Sequence, residues 1–225
     1  MVPANNLSKL QEYLGEQTAT KNRLGQDQNF FLVGLLFAPP QEQISKSEIV
    51  PMLDQYHHSS GTHAYFLCAG YSAYDPEAEP VATVNNEPWG FSAKNFASFV
   101  DEVEKLTKWR YGGGSELLLF DSFSDGKTFR LYTKTALCLD LNAILKDGSF
   151  DTISGLFHHI FNFKKDRGHA VCSDLSDNLG LLMGKDYFLS QLGALWKTAK
   201  HFAVRDITKD AQVNVIRGRR KGKAS

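Results

Sequence analysis

Cysteine is scarce in this chain: Cys68, Cys138 and Cys172 are the only three among 225 residues. They are odd in number, widely spaced, and none belongs to a Cys-x-x-Cys pair. Such spacing excludes a disulfide framework and argues against a thiolate zinc site, so a reduced, cytoplasmic setting is expected. No apolar run approaches the roughly 20 residues needed to cross a bilayer. Met1-Val2-Pro3-Ala4-Asn5-Asn6 lacks the basic and apolar regions of a signal peptide. Net charge is also missing, with 25 basic against 25 acidic residues. There is no internal repeat or low-complexity block. Trp89-Gly90-Phe91-Ser92-Ala93 breaks the Gly-x-Ser-x-Gly nucleophile pattern at Ala93, and no His-x-His or His-Glu-x-x-His pattern occurs.

What is present is a core-forming composition. Apolar residues make up 42% and charged residues 22%, which predicts a packed globular fold rather than disorder. Sixteen phenylalanines point to a core built on large aromatic rings. The balanced charge hides an asymmetry: Arg217, Arg219, Arg220, Lys221 and Lys223 fall in the last nine residues, with no acid among them. The rest holds 20 basic against 25 acidic residues. A basic tail on a mildly acidic body can touch nucleic acid or an acidic partner, whereas the body's own charge disfavours an extended nucleic-acid face.

Three units are expected: an N-terminal helix and polar linker over 1–28, a single α/β domain over 29–216, and the basic tail over 217–225. Asn6 caps a short helix carrying Leu7, Leu10 and Leu14 on one face. Phe30 to Phe37 is apolar on both alternating faces and stops at Pro39-Pro40, as a doubly covered strand does. A helix is expected from about Ser47 to His58, with Pro51 near its first turn. Ala64 to Tyr74 reads as a second central strand. Ser92 caps an amphipathic helix through Phe96, Phe99, Val100, Val103 and Leu106, which Gly112-Gly113-Gly114 ends. Glu116–Phe123 and Thr128–Leu141 form a hairpin across Ser124-Asp125-Gly126-Lys127. A helix follows from about Thr152 to Phe163 and another from Lys185 to Ala203. Short strands are expected between His169 and Met183 and at Val213–Ile216.

This order predicts an α/β fold with a mixed central sheet: a parallel β-α-β core plus an antiparallel hairpin, helices on both faces, and C-terminal helical additions. It is compatible with a thioredoxin-like order. That is an architectural analogy, because no Cys-x-x-Cys follows the first strand.

For chemistry, His57, His58 and His63 crowd one polar turn, and imidazole can ligate metals or move protons near neutral pH. Adjacent His57 and His58 point about 100° apart on a helix, so sharing one ion is difficult. His158 and His159 fall on opposite flanks of an apolar arc. In parallel α/β sheets, sites gather beyond the carboxyl ends of strands. Glu42 lies there after the first strand, and Asp75, Glu77 and Glu79 after the second; Asp121 sits on the hairpin. His57, His63, Asp75, Glu77 and Asp121 are therefore the candidate catalytic residues, and no metal or cofactor is specified. The expected function is partner binding, through a protein partner or a second copy, with Arg217–Lys223 as an accessory contact. The alternative is a small metal-assisted hydrolase or nucleotide-processing enzyme using loop carboxylates and histidine.

Overall fold

A computed structural model describes residues 1–10, 12–13, 30–60, 64–124, 129–167, 172, 174–179 and 213–216. The apolar runs become strands β2 (Phe30–Phe37) and β3 (Ala64–Ala69), paired in parallel with Leu32 opposite Ala64 and Leu36 opposite Cys68. Strands β7 (Glu116–Ser124) and β8 (Phe129–Asp140) form the expected antiparallel hairpin, and β7 also runs antiparallel to β2. Strand β9 (Val213–Ile216) pairs antiparallel with β8, as its apolar stretch suggested. Strand β1 (Val2–Ala4), not foreseen, adds a parallel edge to β3. The six-stranded order is β1-β3-β2-β7-β8-β9, a mixed sheet.

Alternation along β2 and β3 sends side chains to both faces, and each face is covered. On one side Phe37 meets Phe96 and Phe99 of helix α2 (Ala93–Leu106), with ring centroids 6.1 and 5.8 Å away. On the other, Phe66 packs edge-on to Phe157 and Phe161 of helix α4 (Ile153–Arg167). Phe157 in turn stacks on Tyr56 of helix α1 (Leu53–Ser59) at 4.5 Å. The short helix α3 (Leu141–Lys146) follows β8 directly. All six residues of β3 are buried, as a strand covered on both sides requires. Burying each such phenylalanine stabilises the fold by about 1.5–3 kcal/mol.

Ser92 caps α2 as expected, its hydroxyl accepting the Asn95 N–H at 3.3 Å. Phe96, Phe99, Val100 and Val103 are buried, whereas Leu106 is 53% exposed on the last turn. The helix stops at Thr107, before the three glycines; the Thr107 hydroxyl bonds back to the Val103 carbonyl. The segment before α1 is irregular, a π-turn over Ser45–Ile49 and a 3₁₀ turn over Val50–Met52. Pro51 has no N–H to give a continuous helix, and it sits at this break. Between 169 and 183, Cys172 and residues 174–179 are helical rather than extended. The hairpin turn at 125–128 and the helix expected over Lys185–Ala203 lie outside the described residues.

The second central strand expected over Ala64–Tyr74 ends at Ala69, and Tyr71–Ser72 (β4) joins β5 (Glu79–Val84) and β6 (Glu87–Phe91), read from the sequence only as a connection, in a second sheet of order β4-β6-β5. Gly70 joins it to the main sheet: its N–H donates to the Ala4 carbonyl and its own carbonyl accepts the Ser92 N–H, both at 2.9 Å. It adopts φ +79, which favours glycine, and an added Cβ would lie 2.6 Å from Phe96 Cβ. Asn85 and Asn86 turn β5 into β6 with φ of 51 and 62, the left-handed pair of a tight two-residue hairpin. The Ala4 carbonyl faces β3, so alternation turns Pro3 to the outer side of the edge strand.

Candidate functional site

The carboxyl end of β2 delivers the chain at Phe37 into Ala38-Pro39-Pro40, and Glu42 follows at the edge where α/β sites form. Its carboxylate gathers three other segments. Oε2 accepts the N–H groups of Ile44 and Ser45 at 2.9 and 3.2 Å and the Ser115 hydroxyl at 2.9 Å. Oε1 accepts the Asn142 side-chain amide at 2.7 Å. Asn142 Oδ1 accepts the Ser115 N–H at 3.1 Å, and the Ser45 and Ser115 hydroxyls lie 3.2 Å apart. Glu42 thus clasps the start of the π-turn, the entry to β7 and the first turn of α3. Partial desolvation pushes its carboxyl pKa up, but the bonds from Asn142, Ser45, Ser115 and Ile44 outweigh this and hold it below the usual value.

Glu116, the first residue of β7, is buried at the same edge, opposite Phe37. It accepts Trp109 Nε1–H and the Gly112 N–H, each at 2.7 Å, and the Cys138 thiol at 3.6 Å. Every one of these donors to Glu42 and Glu116 is neutral. Burial, then the nearby Glu116 and Glu42 charges, push the Tyr111 hydroxyl up to about 12. Burial and Glu116 likewise push the Cys138 thiol up. A serine hydroxyl relayed to a carboxylate resembles nucleophile activation, but Ser45 and Ser115 are both 0% exposed. The arrangement therefore holds segments together and does not present an attacking oxygen.

The sequence-derived residues occupy three separate places. His57 lies on α1 with Nδ1 2.6 Å from the Met1 carbonyl oxygen, so that nitrogen carries the proton and donates it. His58 is exposed, 3.6 Å from Asp54 one turn earlier; His63 lies outside the described residues. Asp75 sits beyond β4: Oδ2 accepts the Asn95 side-chain amide at 2.9 Å and Oδ1 the Glu77 N–H at 3.0 Å. Glu77 itself is exposed. Asp121 is 9% exposed within β7, both oxygens 3.0 Å from the Cys172 N–H that they accept. It stands opposite Leu32, near the amino end of β2, so Asp75 and Asp121 mark opposite ends of the sheet. Among the described residues, the structure does not bring the two together in one place with a histidine. Among the described residues no group of three or more His, Cys, Asp or Glu can hold a metal ion, and no helix is long and apolar enough to cross a membrane. His158 is exposed, while His159 Nε2 pairs with Asn178 Oδ1 at 2.7 Å. Arg217, Arg219, Arg220, Lys221 and Lys223 lie outside the described residues.

The sequence placed Glu42 at the right edge but gave no sign of its partners. Ser115 and Asn142 are 73 and 100 residues away, beyond any local periodicity. Comparison of the chain with protein-family models, curated proteins and solved structures gives no match.

Proposed function

We propose that this protein acts by binding a partner, with the turn between β4 and β5 as the contact. The observation that carries this reading is Tyr74, a large aromatic 83% exposed on a turn that is itself well fixed. The Ser72 hydroxyl accepts the N–H groups of Tyr74 and Asp75, Asp75 ties to Asn95 on α2, and Tyr74 Oη donates to Glu87 at 3.3 Å. A tyrosine held this way offers contact area at low entropic cost, as binding anchors do. Glu77, Glu79 and Glu87 around it are exposed, which suits a partner surface carrying positive charge. In this reading the basic tail from Arg217 to Lys223 is an accessory contact for an acidic partner or nucleic acid. A reducing, cytoplasmic setting belongs to the same proposal, supported by three buried cysteines, none of them in a disulfide.

The core order β3-β2-β7-β8 also supports the thioredoxin-like analogy as a proposal, with Pro39-Pro40-Gln41-Glu42 after β2 where a redox pair is absent. A metal-assisted hydrolase needs converging carboxylates, and no observation favours that alternative. Retention of a specific partner by immobilised protein, lost on Tyr74→Ala and on Glu77→Lys/Glu79→Lys, is the expected result. Equal retention by wild type and both variants sinks the proposed contact. A monomer that retains nothing yet turns over a substrate sinks the function.

A further inference from the structure

The stretch from Lys108 to Gly114 connects α2 to β7 across the edge where Glu42 and Glu116 lie. Among the described residues it makes no backbone–backbone hydrogen bond to the rest of the protein. Side chains hold it instead. The Tyr111 N–H donates to Glu104 Oε1 at 2.9 Å, and the Gly112 N–H to Glu116 Oε1 at 2.7 Å. Tyr111 Oη closes the loop on itself by donating to the Gly114 carbonyl at 2.8 Å. Gly113 has φ +92 and open space where a side chain would go. Beneath lie groups of a different kind: Trp109, its ring 4.6 Å from Phe37; the buried Glu116; and the Cys138 thiol. The sheet and both neighbouring elements are tied by backbone hydrogen bonds, whereas this segment is held by side chains, the weaker kind of tie against local opening.

We propose that residues 110–114 form a strap, latched by Glu104 and Glu116, which opens as a unit and uncovers Glu116 and Cys138 at the carboxyl edge of the sheet. The inference stands apart from the partner-binding reading, since Tyr74 lies beyond β4 on another segment. Opening breaks the Tyr111 and Gly112 amide bonds to Glu104 and Glu116, the Arg110 contacts to Glu104 and the packing of the Tyr111 ring on Phe37, Phe96 and Trp109, and leaves α2 and β7 in register. The glycines supply the backbone freedom at the point of bending.

Cysteine labelling of the full, reduced chain reads this motion, with Cys68, 0% exposed inside β3, as the clock for global unfolding. Under native conditions Cys138 is expected to react at least about tenfold faster than Cys68. Glu104→Ala, which removes the latch on Tyr111, should speed Cys138 several-fold further and leave Cys68 unchanged. Reaction of both thiols at one common rate overturns the strap, and so does fast Cys138 labelling that ignores Glu104→Ala. Hydrogen exchange on the unsubstituted chain gives a second test. The Tyr111 and Gly112 amides should exchange independently of denaturant, while Leu117–Phe120 exchange only by global unfolding; equal protection of the two groups refutes the proposal.

Discussion

Replacing Gly70 by alanine tests how the two sheets are joined. Two separate costs arise there. At φ +79 an alanine backbone is strained by about 1–2 kcal/mol. The new methyl also lands 2.6 Å from Phe96 Cβ and 3.0 Å from both Phe96 Cα and Phe91 Cε2. Phe96 Cα belongs to the backbone of α2, so relief requires the helix to shift rather than a side chain to rotate; such overpacking costs about 1–3 kcal/mol. Together these give about 2–5 kcal/mol, roughly 5–15 °C of melting temperature for a chain this long. Gly113→Ala is the matched control, with φ +92 and nothing within 4 Å of the added methyl. It should lose only the strain, about 1–2 kcal/mol. Urea titration of both variants, with unchanged slope, measures the difference directly. If Gly70→Ala costs no more than Gly113→Ala, the close approach of α2 to the sheet junction is wrong.

Glu42 has a folded pKa below its unfolded one, so its contribution is present above the ordinary carboxylate value of 4.5 and fades as pH falls below it. Glu42→Gln should therefore be less stable than wild type at pH 7, with the gap narrowing as pH falls below 4.5; a gap independent of pH refutes the clasp. Trp109→Phe removes one donor from the buried Glu116 carboxylate and should cost about 1–3 kcal/mol in chemical denaturation. No loss there means Glu116 is not held as described. Ser92→Ala deletes the α2 cap and should cost about 1 kcal/mol by the same assay, with Ser92→Asp close to neutral.

The sequence made the main sheet and its largest helix readable because each rests on local patterns. Eight apolar residues before Pro39-Pro40 can hardly be anything but a covered strand, and Ser92 before a period of 3.6 marks a helix start. The small sheet was hidden for physical reasons. Glu79–Val84 is mostly exposed on its outer positions and begins Glu-Pro, so it lacks a buried alternation. Its turn uses Asn85-Asn86, where asparagine tolerates the left-handed conformation less obviously than glycine. Strand β1 has only three residues and is defined by its neighbour rather than by its own pattern. As for the site, position after an apolar strand led to Glu42, just past β2, and to Asp75, just past β4. Asp121 falls on the hairpin as expected, but its place along β7 depends on register with β2, which no local signal sets.

Pro3 gives the outer margin of the main sheet a polarity of its own. At that position the edge presents a carbonyl but no N–H, because the proline ring replaces the hydrogen. A foreign strand laid alongside would find an acceptor with no donor next to it, and a two-way ladder could not begin. The margin at Pro3 is thus a terminus for sheet growth.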